Sequence, residues 1–246
     1  MYSKILIISD NIFLCNKFEA IISALNLDIE YHFAISPYSN FKQFKSLFVQ
    51  DLKIYDLTKE ADVGKIIGNY DLVFSLHCKQ LFPKEMVSQV KCINIHPGYN
   101  PINRGWYPQV FAIINDLEVG ATIHEIDELL DHGPIIARLK VEKSNLDTSE
   151  KLYNKIVNAE ITLIEENLRS IIENKYVTFL PEQEGVLYLK KDFNEVCKLD
   201  LDEMLTTRKL INKLRALTHG DFKNAYYIDE STGKKVFIKI ELELEE

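Results

Sequence analysis

The sequence predicts an α/β protein: a main domain on a mostly parallel sheet, then a small mixed α+β C-terminal lobe. Three observations carry this expectation. Short β-branched runs alternate with stretches of helical periodicity through the first half, the pattern of parallel strands joined by right-handed crossovers. Two later apolar runs lie close enough to pair as a hairpin. Beyond about Pro181 the pattern turns to short strands and one helix, so the expected division is residues 1–180 and 181–246.

Each element has its own reason. Lys4 to Ser9 is a β-branched run ended by Asp10-Asn11, a buried strand. From Ile12 to Leu25, apolar Phe13, Leu14, Phe18, Ile21, Ile22 and Leu25 recur at helical spacing. Ile29 to Ile35 is the next strand, Pro37 to Asn40 a loop, and Lys53 to Asp56 a further strand before a helix over Ala61 to Asn69. Asp71 to Leu76 and Cys92 to His96 are again buried strands. A helix over Tyr107 to Asn115 leads to the hairpin, Val119 to Ile126 with Pro134 to Val141. A long helix spans Ser149 to Asn174, capped by Asp147, Thr148 or Ser149. In the lobe, Asp202 to Ala216 is the helix. Val236 to Leu244 alternates, with Ile238, Ile240, Leu242 and Leu244 opposite Lys239, Glu241 and Glu243, and reads as a half-buried antiparallel strand that serves a lobe hairpin or a subunit contact.

Composition narrows the function. A chain of 246 residues with 46% hydrophobic content can bury one large core, or a core with an added lobe. A net charge of −8 argues against a nucleic-acid partner, although a local basic patch can still hold a phosphorylated small molecule. No apolar run approaches the roughly 20 residues of a membrane helix. The first apolar stretch stops at Asp10 without a small-residue cleavage site, so the chain reads as cytoplasmic and not membrane-bound. Cys15, Cys78, Cys92 and Cys197 show no C-x-x-C pairing, so neither a disulfide nor a metal site is expected. Neither a G-x-G-x-x-G nor a P-loop is present.

The chemistry gathers around Asn94-Ile95-His96-Pro97-Gly98 and, further on, Asp131-His132-Gly133. Residues two apart on a strand share a face, so Asn94 and His96 point together at a strand's carboxyl end, the edge where open α/β sheets bind ligands. An amide can donate to a developing oxyanion, an imidazole can move a proton near neutral pH, and a carboxylate can orient that imidazole. Together they suit acyl transfer to an amine, with either His96 or Asp131 taking the amine proton. Taken singly, His96 can pack a turn, Asp131 can close an Asx turn, and Asn94 can satisfy buried backbone. Arg104 and Asn103 can hold a phosphate or carboxylate. Trp106 and Tyr107 either stack on a ligand or plug the core. His124 is a supporting residue, and Ser75 to Pro83 is by spacing alone an ordinary βα connection.

At these residues the chain resembles the folate-dependent formyltransferase superfamily. The resemblance is strong over roughly residues 70 to 142 and weaker at the first strand and the later helices. Asn-Ile-His-Pro-Gly-Tyr-Asn-Pro-Ile-Asn-Arg-Gly-Trp-Tyr-Pro, from Asn94 to Pro108, is most similar to the sugar-nucleotide N-formyltransferases. It departs from the Ser-Leu-Leu-Pro type of continuation in purine and tRNA members. The resemblance implies a Rossmann-like formyltransferase domain, with Asn94, His96 and Asp131 as the catalytic set. It implies 10-formyltetrahydrofolate as co-substrate, held by His77, Cys78, Lys79, Gln80, Leu81 and Phe82, with Asp127 to Gly133 completing the pocket. Tyr99, Asn100, Asn103, Arg104, Trp106 and Tyr107 would face a dTDP-linked amino-dideoxyhexose. Leu187 to Lys190 and Arg215 to Gly220 look like the family's C-terminal pieces. The implied reaction formylates dTDP-4-amino-4,6-dideoxyglucose, without a metal, in a homodimer that serves surface polysaccharide (O-antigen, lipopolysaccharide) synthesis. The 3-amino isomer, another folate-dependent formyltransferase or formyl-folate hydrolase, and a non-catalytic binding protein of the same fold remain alternatives.

Overall fold

A computed structural model describes residues 1–48 and 51–245. In chain order the elements are β1 (Lys4–Ser9), α1 (Ile12–Ala24), β2 (Glu30–Ile35), α2 (Phe41–Leu47), β3 (Leu52–Ile54), α3 (Glu60–Asn69), β4 (Leu72–Leu76), α4 (Lys84–Gln89) and β5 (Lys91–His96). Then come β6 (Arg104–Gly105), α5 (Pro108–Ile114), β7 (Val119–Glu125), β8 (Ile135–Val141) and α6 (Ser149–Ile172). The C-terminal part holds β9 (Leu187–Tyr188), α7 (Lys190–Cys197), α8 (Thr207–Leu217), β10 (Tyr226–Ile228) and β11 (Lys235–Phe237).

Seven strands form one sheet in the order β3-β2-β1-β4-β5-β7-β8. The first five run parallel, and β7 and β8 close the edge antiparallel as the expected hairpin. Continuous apolar runs mark strands covered on both faces. Along β1, Ile5 and Ile7 join a core with α1, α5 and α6, while Leu6 and Ile8 join the core under α3 and α4. The chain turns in opposite directions from β1 and β4, which are neighbours, and so opens a crevice at their carboxyl ends. The helix α6 ends at Ile172, close to its expected limit, and Thr148 caps it by accepting from Lys151 N–H. Its apolar stripe packs on the sheet through Leu152, Ile156, Leu163, Ile164 and Leu168.

Three features differ from expectation. The short helices α2 and α4 each bury a single residue, Phe44 and Met86, and give no periodic signal. The lobe holds two helices, and α8 starts at Thr207 behind a Thr206 cap, not at Asp202. The expected strand from Val236 to Leu244 pairs only over Lys235–Phe237, against Tyr226–Ile228. Beyond it, Ile238 N–H donates to Ala225 C=O and Ile240 N–H to the Thr218 hydroxyl, irregular contacts that end the ladder.

Among the contacts that fasten the C-terminal part to the main domain, two involve backbone of the main domain directly. The strand β9 pairs in parallel with β6, and Trp106 N–H donates to Tyr188 C=O at 2.8 Å. On α8, the buried Arg215 guanidinium donates to the Ser144 and Asp147 carbonyls at 3.0 and 2.7 Å. Replacing Arg215 by Met takes this donor from both carbonyls and leaves that of Ser144 only the Asp147 N–H. Such losses cost about 2–4 kcal/mol, and a thermal melt of Arg215→Met is expected to show a clearly lowered Tm.

Candidate active site

The carboxyl ends of β4 and β5 open into a cavity of about 1030 Å³. That is the upper end of the range for small-molecule sites. It is lined by the β4–α4 loop, the end of β5, the start of α5, the loop after β7, the first turns of α6 and part of the C-terminal lobe.

Asn94 and His96 both line this cavity, as their two-residue spacing requires. Asp131 meets them from the loop after β7. Asn94 Nδ2 donates to Asp131 Oδ1 at 3.0 Å and to His124 Nε2 at 3.2 Å. His124 therefore carries its proton on Nδ1, which donates to Glu125 C=O at 2.7 Å. Asp131 Oδ2 accepts Gly105 N–H at 3.0 Å and lies 3.6 Å from His96 Nδ1. His96 Nε2 donates to Asn103 C=O at 2.8 Å, so its Nδ1 is left as the acceptor on the Asp131 side. Gly98 makes that bond fit, because a Cβ at this position would collide with His96 Nε2 and the Asn103 carbonyl.

Two opposing effects set the charges. Burial holds the His96 imidazole below its ordinary value, with Asp131 pulling the other way without overcoming it. Burial also penalises the Asp131 carboxylate, but the neighbouring His96 and His124 rings and the Gly105 N–H outweigh it and hold the group well below the usual carboxylate range. The result is an ionised Asp131, a poor base, beside a neutral His96 with a free ring nitrogen.

The β4–α4 loop lines the opposite wall. His77, Cys78, Lys79, Gln80, Leu81 and Phe82 all reach the cavity. Gln80 is also engaged with backbone, accepting Leu57 N–H at 2.9 Å and donating to Tyr55 C=O at 3.0 Å. Lys79 N–H donates to Asp10 Oδ2 at 2.7 Å, and Asp10 Oδ1 binds Ser36 and Ser39, which ties three loops together. Burial pushes the Cys78 thiol up to about 12, so it is not a nucleophile at neutral pH. Asp127 lines the cavity and accepts from His132 Nδ1 at 2.6 Å.

Of the residues expected to face a sugar, only Trp106 and Tyr107 line the cavity. Tyr99, Asn100, Asn103 and Arg104 stand behind the wall, where they hold its backbone. Asn100 Nδ2 donates to Asp131 C=O, Asn103 Oδ1 accepts Tyr99 N–H, and the Tyr99 ring sits under the Arg138 guanidinium. Arg104 donates to Leu130 C=O through Nε and Nη2 and pairs with Glu184 at 2.6 Å. Loops this rich in backbone carbonyls need donors, and that demand takes the side chains that the motif places here. Gly133 likewise lies outside the lining, pressed so close to the Glu125 carbonyl that a Cβ has no room.

The lining also includes Gln109, Ser149, Tyr153, Phe193, His219, Phe222 and Asn224, which local motif reading passed over. One signal was available. Glu160 falls on the apolar stripe of α6 between Ile156 and Leu163, is fully buried, and contacts His77. Among the described residues no group of three or more His, Cys, Asp or Glu is placed to hold a metal ion.

Comparison with known proteins agrees with this arrangement. A family model described as formyl transferase matches residues 55–168, and one described as N-formyltransferase dimerization C-terminal domain matches residues 192–244. The dTDP-4-amino-4,6-dideoxyglucose formyltransferase of Mycobacterium bovis is 49% identical over 183 residues, 74% of this chain and 78% of that protein. A 4-N formyltransferase from Francisella tularensis superposes with a TM-score of 0.93 at 42% identity over 98% of both chains. A sugar N-formyltransferase from a Shewanella species gives 0.94 at 40% identity over 99% of both.

The His96 environment has a sign that can be measured. Because its folded value is depressed, the stability contributed by the neutral ring is complete above the unfolded value near 6.5. It is lost as pH falls from there through the folded value. Imidazole nitrogen NMR is expected to show His96 neutral at pH 7, protonated on Nε2, and titrating below 6.5. A midpoint at or above 6.5 contradicts the assignment.

Proposed function

The chain belongs to the folate-dependent formyltransferase family, and from that premise we propose that it moves a formyl group from 10-formyltetrahydrofolate to the amine of dTDP-4-amino-4,6-dideoxyglucose. The observation that carries this is the meeting of Asn94, His96 and Asp131 at the end of β5, in a cavity flanked by the His77–Phe82 loop. The 49% identity to an enzyme of that name selects the sugar.

The charges at the site support the following order of steps. The neutral amine attacks the formyl carbon, a C–N bond forms, and the carbonyl oxygen becomes an oxyanion. Asn94 Nδ2 donates to that oxyanion, which requires it to exchange one of its present partners, Asp131 or His124. His96 Nδ1 accepts the amine proton, since Asp131 is too weak a base. Asp131 then stabilises the imidazolium that results. The C–N bond to the folate breaks, the leaving nitrogen takes the proton from His96, and the product is a neutral amide. His124 holds the amide of Asn94, while Asn100, Asn103, Arg104 and Gly133 hold the loops.

The modification replaces a cationic amine by an uncharged amide, which suits a sugar destined for surface polysaccharide such as O-antigen. We place the reaction in the cytoplasm and in a homodimer formed through the C-terminal lobe, as the dimerization model over residues 192–244 supports. The 3-amino isomer is the second reading, because the catalytic trio does not see where the amine sits on the ring.

Purified protein incubated with 10-formyltetrahydrofolate and either dTDP-4-amino- or dTDP-3-amino-dideoxyglucose tests both readings. The 4-amino sugar is expected to gain one formyl mass, and His96→Asn to lower that rate by at least about a hundredfold. Transfer to neither sugar, with folate bound, overturns the proposal.

A further inference from the structure

Behind the loop after β7, His132 lies between two carboxylates. Its Nδ1 is 2.6 Å from Asp127 Oδ2, and its Nε2 is 2.9 Å from Glu184 Oε1. Ionised carboxylates only accept, so the ring fills both contacts when both of its nitrogens carry protons. The second Glu184 oxygen takes Arg104 Nη1 at 2.6 Å, and Arg104 also holds the Leu130 carbonyl through Nε and Nη2. Two cations thus answer two carboxylates. The other charges of the loop are engaged elsewhere, Glu128 with Lys84 at 2.7 Å and Asp131 with Asn94 and Gly105.

His132 bridges two distant parts of the chain. Residues 127–131 all line the cavity, whereas His132 and Glu184 do not. Glu184 belongs to the segment that crosses the long loop after β5. There Gly185 presses so closely on the Pro101 carbonyl that a Cβ has no room, and β9 then pairs with β6. The Glu184 side chain is largely exposed, but its backbone has a fixed seat. The imidazolium ties the cavity-lining loop to that seat.

Building on the formyl-donor reading above, we propose that His132 and Glu184 are positioning residues for that co-substrate, a strap that holds the 127–131 loop against the C-terminal part in the form that binds the folate. Loss of one proton undoes the strap. A neutral ring can donate to only one of its two carboxylates, and its bare nitrogen then faces the lone pairs of the other. The four groups are also left with an excess negative charge beside a co-substrate that itself carries carboxylates. The hydrogen bond to Asp127 raises the His132 imidazole above its ordinary value, and Glu184 adds to it against partial burial. Because the folded value is raised, the strap is complete below the unfolded value near 6.5 and is lost as pH rises through the folded one.

Calorimetric titration of the full chain with 5-formyltetrahydrofolate, an isomer of the donor, from about pH 6.5 to about pH 9 tests this. Affinity is expected to fall about fivefold toward the alkaline end, with the midpoint that imidazole NMR gives for His132. His96 titrates below this range and does not contribute. His132→Asn is expected to bind the probe with the weaker affinity at every pH. Glu184→Gln keeps an acceptor for Arg104 but takes one charge from the ring, and should move the His132 midpoint and the loss of affinity together to lower pH. A parent affinity that stays level with pH overturns the inference, as does an alkaline loss that persists in His132→Asn. A His132 midpoint at or below 6.5 overturns it as well. A parent protein that does not bind the probe at any pH overturns the formyl-donor reading itself, an outcome distinct from a level profile.

Discussion

The site is organised around one buried negative charge. The Asp131 carboxylate is almost shut off from solvent, and an unanswered carboxylate in that position costs several kcal/mol. Its two oxygens are met by donors from different parts of the chain, Asn94 on β5 and Gly105 on β6. The backbone around it is pinned as well, by Asn100 on its carbonyl and Arg104 on that of Leu130. Satisfying one carboxylate thus draws the end of β5, the long loop after it and the loop after β7 to a single point. The neutral His96 and the fixed tautomer of His124 follow from that convergence.

Three residues that line the cavity, His77, Tyr107 and Asp131, have positive φ angles of 55°, 55° and 48°. For residues other than glycine this left-handed backbone is uncommon, and it persists where surrounding contacts enforce it. Each has such contacts: Glu160 on His77, the stacked Phe193 ring on Tyr107, and Asn94 with Gly105 on Asp131.

The parallel half of the sheet was legible because burial on both faces writes itself as continuous apolar runs, as in Ile5 to Ile8. Asn94 and His96 were legible because a strand's two-residue period decides their face without reference to the rest of the fold. The C-terminal segment shows the limit of periodicity. Ile238, Ile240 and Leu242 are half-buried and their neighbours exposed, as the alternation implies. Alternation reports where side chains face, whereas a strand needs a backbone partner, and here that partner ends after Ile228. Arg104 and Asn100 stand behind the cavity wall for a related reason. A motif shows which polar groups are present, but their partners are carbonyls of a loop some thirty residues later. Tyr153 on α6 and His219, just past the end of α8, reach the cavity from elements whose placement depends on the finished core.

The pairing of β6 with β9 bears on how the protein is made. A ribosome that has released residues 1–180 has produced Asn94, His96 and Asp131, together with every strand of the main sheet. It has not yet produced Leu187–Tyr188, which pairs with Arg104–Gly105, nor Glu184, which takes up the Arg104 guanidinium and His132. Gly105 N–H is one of the two donors that complete the Asp131 carboxylate. A nascent chain can therefore fold its sheet during synthesis while the loop that carries the acid still lacks its brace, and the active centre sets only once the late C-terminal strand has emerged.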